Sequence, residues 1–129
     1  MKVCLDTNAY ARLMQAHKPL QDLLERVERI FLPAVVLGEL HAGFQLGARA
    51  PDNVAQLETF LGLPGVDVAD TTADVAIRYG VLVRDLREAG TPLPTNDIWI
   101  AATAAELGAR LVTYDAHFDK VPGLPVLAP

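Results

Sequence analysis

Four acidic residues sit where solubility alone explains a carboxylate poorly. Asp6 ends the apolar run "VCLD" and is followed by Thr7 and Asn8, and Asp115 follows "RLVTY". Asp97 falls in the first turn of a helix opened by Thr95, and Glu39 lies in an apolar helix between Gly38 and Leu40. Each also has a purely structural use. Asp6 suits a helix cap, Asp97 the positive end of a helix dipole, Asp115 a turn, and Glu39 a solvated helix position. Brought to one end of one sheet, the four would repel one another. Two unit charges about 4 Å apart cost about 1 kcal/mol in water and about 4 kcal/mol at an effective dielectric of about 20. A cation relieves that repulsion, and hard oxygen ligands of this kind select Mg2+ or Mn2+. Such a cluster in an open cleft is the equipment of metal-assisted phosphodiester hydrolysis.

Whether the acids meet depends on the elements that carry them. Lys2–Leu5 reads as a buried strand, followed by a short helix over Ala9–Gln15 and another from Leu20 to about Glu28. In the second of these Leu20, Leu23, Leu24 and Val27 share one face. Arg29–Leu32 is a strand, and Pro33 is a first-turn residue for a helix over Ala34–Leu46 that stops at Gly47. Pro51 and Asp52 open a helix to about Leu61, broken by "GLPG", and Val66–Ala69 is a strand. The next helix carries an apolar stripe of Ala73, Ala76, Ile77, Val81, Val83 and Leu86 and ends at Gly90. After the "TPLP" turn a helix runs from Thr95 to Leu107, with Gly108 as its stop. Arg110–Thr113 is a strand, and Val126-Leu127 a last short one. Strands separated by helices predict an α/β sandwich with a mainly parallel sheet. In such a sheet ligands bind outside the carboxyl ends of the strands, where Asp6 and Asp115 lie.

Composition bounds the reading. A chain of 129 residues, half of them hydrophobic, suits one domain over 1–129 with one core. Cys4 is the only cysteine, so the chain forms no internal disulfide and no thiolate zinc cage. Met1-Lys2 leads straight into a strand, which speaks against a signal peptide. The apolar runs are far below the roughly 20 residues of a membrane helix, so a soluble, cytoplasmic protein with no membrane partner is expected. The net charge of -5 argues against nucleic-acid binding through a broad basic surface. A divalent cation would supply positive field locally instead. Arg12, Lys18, Arg49 and Lys120 are the candidate phosphate contacts. His17, His41 and His117 show no zinc-type spacing. Trp99 is expected in packing, and Cys4 as a small buried hydrophobe.

"LDTN" after a first strand, "GEL" in an early helix and "NDIWIAATAAELGARLVTYDAHF" near the end together resemble the PIN-domain ribonucleases. Within them the chain most resembles the VapC-like toxins of type II toxin–antitoxin pairs, over essentially its whole length. The resemblance implies a PIN-like three-layer α/β/α sandwich and a Mg2+- or Mn2+-dependent endoribonuclease. It assigns Asp6, Glu39, Asp97 and Asp115 as the catalytic acids, with Asp6, Asp97 and Asp115 holding the metal. Asn8 and Thr113 are then supporting residues, and Asp119 a further acid near the site. Tyr114 departs from the pattern, because many relatives carry Asn or another small polar residue there. The implied partners are an RNA substrate, a cognate VapB-like antitoxin and a second copy in a homodimer.

Three other readings stay open at this level. One is an RNA-processing PIN nuclease outside any toxin pair, and another is a catalytically idle RNA- or protein-binding module. The third, a phosphohydrolase of the haloacid-dehalogenase type, needs a second Asp two positions after the first, where this chain has Asn8. The apolar stretches "AVVLGELHAGF" and "IWIAATAAEL" exceed what so small a sheet covers, which predicts a partner face. Leu13, Met14, Leu20, Leu23, Leu24 and Val27 of the first helices are expected to form an apolar groove for an amphipathic antitoxin helix.

Overall fold

The computed structural model describes residues 1–129. Its elements are β1 (Lys2–Leu5), α1 (Thr7–Met14), α2 (Lys18–Leu24), β2 (Arg29–Pro33), α3 (Ala34–Leu46), α4 (Ala50–Leu61), β3 (Val66–Ala69), α5 (Ala73–Glu88), α6 (Thr95–Leu107), β4 (Arg110–Val112), a 3-10 helix (Ala116–Lys120) and β5 (Val126–Leu127). The five strands form one sheet in the order β3-β2-β1-β4-β5, and every pairing is parallel. Val3, Cys4 and Leu5 of β1 are all fully buried. Successive strand side chains point to opposite faces, so both faces of the sheet are covered, the expected three-layer arrangement. The chain builds β2 and β3 on one side of β1, then crosses to β4 and β5 on the other. The strand order therefore reverses between β1 and β4, and a parallel sheet opens its ligand crevice there.

Two of the boundaries that differ from the sequence reading have a hydrogen bond behind them. Helix α1 begins at Thr7 and not Ala9 because the Asp6 side chain caps it. Helix α2 ends at Leu24 because the Glu28 amide already donates to the Met1 carbonyl, 3.1 Å away. Residues 25–28 are thus needed to turn the chain into β2. The 3-10 helix was not anticipated; it is capped by Asp115.

Helix α5 corrects the expected apolar stripe. Its buried residues are Val75, Leu82 and Leu86, whereas Ile77 is 68% and Val81 42% exposed. The stripe was read one step around the helix from the face that α6 occupies. Helix α6, in turn, has no surplus apolar surface. Ile98, Ile100 and Ala101 to Ala104 are buried, and Trp99 stacks on Tyr79 of α5 with ring centroids 3.8 Å apart.

Gly65, Gly90, Gly108 and Gly123 hold a positive φ that L-residues resist, and Gly65 differs from Gly108 in the space around it. A Cβ on Gly108 (φ +64) would meet nothing, whereas one on Gly65 (φ +80) would stand 3.0 Å from the Glu28 carbonyl. Gly108→Ala is expected to lose about 1 kcal/mol of stability, and Gly65→Ala about 2 kcal/mol or more. Urea midpoints at unchanged m-value measure both losses. Equal losses would show that contact with the Glu28 carbonyl is not what fixes this turn.

Candidate active site

Asp6, at the carboxyl end of β1, is only 4% exposed. Its Oδ1 accepts the Ala9 amide at 2.8 Å, and its Oδ2 accepts the Thr113 hydroxyl. It is therefore both the cap of α1 and an acid of the site; the two readings of "LDTN" are not alternatives. Thr113, just past β4, also accepts the Asp115 amide at 3.0 Å. Asp115 Oδ1 accepts the His117 amide at 2.9 Å, and His117 Nδ1 lies 3.2 Å from the same oxygen. Glu39 enters from α3, where the Thr7 hydroxyl donates to its Oε1 at 2.7 Å. Asp97 enters from the first turn of α6.

These acids share one cavity of about 150 Å3, lined by Asp6, Thr7, Asn8, Glu39, Asp97, Ile100, Asp115 and Phe118. Burial is the first cause of the raised Asp6 pKa, opposed by the hydrogen bonds from Thr113 and Ala9 and reinforced by the charges of Asp115 and Glu39. Asp97 is also pushed up, first by burial, then by Asp115, Glu39 and Asp6, with His117 acting the other way. The other three acids all act on Asp97, so the four form one electrostatic unit.

A PIN-domain family model matches residues 3–124. The chain belongs to the PIN-domain family. Ribonuclease VapC2 of Rickettsia felis is 29% identical over 93% of this chain and 92% of that protein. Ribonuclease VapC4 of Mycobacterium tuberculosis is 34% identical over 72% of each. Among solved structures, VapBC2 from Rickettsia felis, bound to a DNA fragment from its promoter, superposes with a TM-score of 0.89 at 27% identity, covering 98% of both chains.

The PIN chain brings Asp6, Glu39, Asp97, Asp115 and Asn8 to the cavity, with buried Thr113 bridging Asp6 and Asp115 behind it. Asp119 is not among the lining residues; it is exposed on the 3-10 helix. Of the candidate phosphate contacts, Lys18 pairs with Asp22 and Arg49 with Asp52. Arg12 instead lies over the Tyr114 ring. Thr7 and His117 were not assigned to the site from sequence. The partner of Thr7 is 32 residues away, and His117 in "DAHF" reads from sequence as a loop residue at the border of the cleft. Cys4 is inert core, its thiol pushed up to about 12 by burial.

The donor set fits a hard divalent cation. It is all oxygen, mutually repulsive, and set in a space well above the roughly 10–15 Å3 one water needs. No three of the acids converge closely enough to enclose an ion directly. Asp6, Glu39 and Asp115 each have an oxygen tied to a neighbouring hydroxyl or amide. A cation that keeps part of its water shell, as Mg2+ does, suits this spacing best.

The raised pKa values have a consequence for stability. The folded protein holds these protons more tightly than the unfolded chain, so the acids' contribution to stability falls as pH rises from the ordinary value of 3.8 through the folded values. In EDTA, Asp97→Asn is therefore expected to be more stable than the parent at about pH 7. That advantage should shrink toward about pH 4. Urea midpoints across the range check it, and a pH-independent difference would mean that Asp97 is not charge-coupled to the other acids.

Proposed function

We propose that this chain is an endoribonuclease acting through one PIN domain over residues 1–129, that it hydrolyses RNA phosphodiester bonds with Mg2+ or Mn2+, and that it is the toxin of a pair neutralised by a VapB-like antitoxin. The observation that carries this reading is the meeting of Asp6, Glu39, Asp97 and Asp115 in one cavity at the reversal of strand order. The relatives named ribonuclease VapC support the reaction class, and the VapBC2 structure supports the antitoxin.

Asp6, Asp97 and Asp115 would hold the cation, which when bound supplies a water of lowered pKa and offsets charge on the phosphate. The chain's own part is positioning. Asp6 is fixed by two hydrogen bonds from different elements, and Asp115 by the His117 amide. The Thr7 hydroxyl holds Glu39 toward the cavity, where its second oxygen can orient water. Ile100 and Phe118 wall the inner side and limit bulk water. Asp97→Asn is expected to lower Mn2+-dependent RNA cleavage by at least about 100-fold with no loss of folding, and EDTA should abolish parental cleavage. Full activity of Asp97→Asn would refute the site assignment.

The antitoxin is assigned to the groove of about 520 Å3 between the first helices and α4, lined by Leu13, Met14, Leu24, Ile30, Phe60 and Leu63 among others. Leu20 and Leu23, expected in that groove, belong to the core, and Val27, also expected there, packs partly buried against it. The surface assigned to a homodimer is also revised. With α6 covered, the exposed apolar residues on helices are Ile77 and Val81 of α5 and Leu46 at the end of α3. Light scattering at tens of micromolar, a concentration matched to a dissociation constant of about 1 μM, should give a dimer that Ile77→Glu dissociates. A monomeric parent would exclude it.

A further inference from the structure

A groove of about 510 Å3 abuts the acid cavity and shares Asn8 and Asp115 with it. Its remaining polar lining comes from Arg12, Gln15 and Tyr114. The Arg12 guanidinium carbon lies 4.0 Å from the centroid of the Tyr114 ring. The ring is held in place from behind. Its hydroxyl donates to the Pro129 carbonyl at 2.8 Å, and the His17 ring meets it edge-on with centroids 5.6 Å apart. The turn that delivers His17 passes through Ala16, the only non-glycine residue with positive φ (58°). That conformation costs about 1–2 kcal/mol for an L-residue. A strained turn and a clamped ring thus present Arg12 in one orientation.

A structural use for Arg12 is available, since a cation in the last turn of α1 suits the helix dipole. It does not account for the side chain's position. Arg29, Arg49, Arg78 and Arg84 each pair with a carboxylate, while Arg26, Arg87 and Arg110, which do not, lie away from the acid cavity. Arg12, at the edge of a cavity holding four, stacks on an aromatic face instead. Stacking satisfies the guanidinium plane and leaves the N–H donors along its edge unspent. An arginine held this way reads an anion along its edge, and exposed aromatic and guanidinium faces stack bases.

We propose that Arg12, positioned by Tyr114, anchors the nucleotide flanking the scissile phosphate of a single-stranded RNA, its guanidinium edge on the phosphate and the Arg12–Tyr114 stack supporting the base. This rests on the nuclease reading and names the substrate contact of the same site. The groove is committed to RNA because an anion would pair with the free edge of Arg12, whereas a peptide bringing basic residues would pair with the four acids and leave Arg12 unused. The contact lies on one side of the cavity, so it binds substrate without touching the reacting atoms.

The test uses the full chain and a fluorescein-labelled single-stranded RNA of about eight nucleotides. Binding is followed by anisotropy in the Asp97→Asn background across a salt series, and cleavage is followed separately in the otherwise unaltered protein. Arg12→Gln is expected to weaken binding about tenfold and to reduce the salt slope by about 0.7, the contribution of one single-strand phosphate. In cleavage it should raise KM with kcat nearly unchanged. Tyr114→Phe keeps the ring but loses the bond to Pro129 that clamps it, and should weaken RNA binding by less than Arg12→Gln does. Arg12→Lys keeps the charge but not the planar stack, and should recover only part of the affinity. Arg12-dependent binding without any cleavage would overturn the nuclease reading and support this contact. Cleavage by the parent with KM and salt slope unmoved in Arg12→Gln would overturn the contact and leave the nuclease reading standing. Loss of antitoxin inhibition alone in Arg12→Gln would also overturn it, assigning the groove to protein.

Discussion

The structure turns on one nearly buried carboxylate. Asp6 lies at the end of the central strand with one oxygen on the Ala9 amide of α1 and the other on the Thr113 hydroxyl beyond β4. A buried carboxylate is costly unless hydrogen-bonded. Charge-assisted bonds offset that cost at about 1.5–3 kcal/mol each. Both partners belong to elements flanking the reversal of strand order. Satisfying Asp6 therefore fixes the start of α1 and the exit of β4 together, which sets the geometry of the crevice between them. The Thr113 hydroxyl passes the constraint on, since it accepts the Asp115 amide.

Three helical N-termini surround the same cavity. Asp6 caps α1, Asp97 occupies the first turn of α6, and Asp115 caps the 3-10 helix. The positive ends of helix dipoles favour anions, so the fold tolerates four acids that would otherwise repel too strongly to share about 150 Å3. The compensation is incomplete: burial first, and then the neighbouring carboxylates, still raise the pKa values of Asp6 and Asp97. What remains is a negative potential that a cation would offset. The caps that stabilise local structure are the same groups that create the unsatisfied negative potential. Capping and chemistry are thus two uses of one arrangement.

Much of this was legible because it rests on local signals. The strands, the four acids and the Pro and Gly punctuation are read from short windows, and a parallel sheet then dictates that Asp6 and Asp115 approach each other. The misreadings were relational. Ile77 and Val81 fit a helical period, but only the position of α6 decides which side of α5 is inside. Thr7 looks like any residue of a capping sequence until Glu39 arrives from α3. Tyr114 registered as a departure from its relatives, yet its contact with Arg12 depends on the path of α1. Asp119 matched by proximity in sequence, and the 3-10 turn carries it away from the cavity.

The charge distribution constrains how such a protein meets RNA. Its net charge is -5, and Lys18, Arg29, Arg49, Arg78 and Arg84 are each paired with a neighbouring acid. Long-range attraction of a polyanion is therefore weak, because surface pairs cancel at distances beyond the Debye length of about 8 Å. On the proposed reading, recognition would be short-range, from a cation held by the acids and from a stacked guanidinium beside them. A protein built this way gains little from nonspecific sliding along RNA, since that mode draws on many phosphate contacts. Its discrimination would then fall on strands that place a phosphate and an unstacked base together at the cavity, which single-stranded loops do and regular duplex does not.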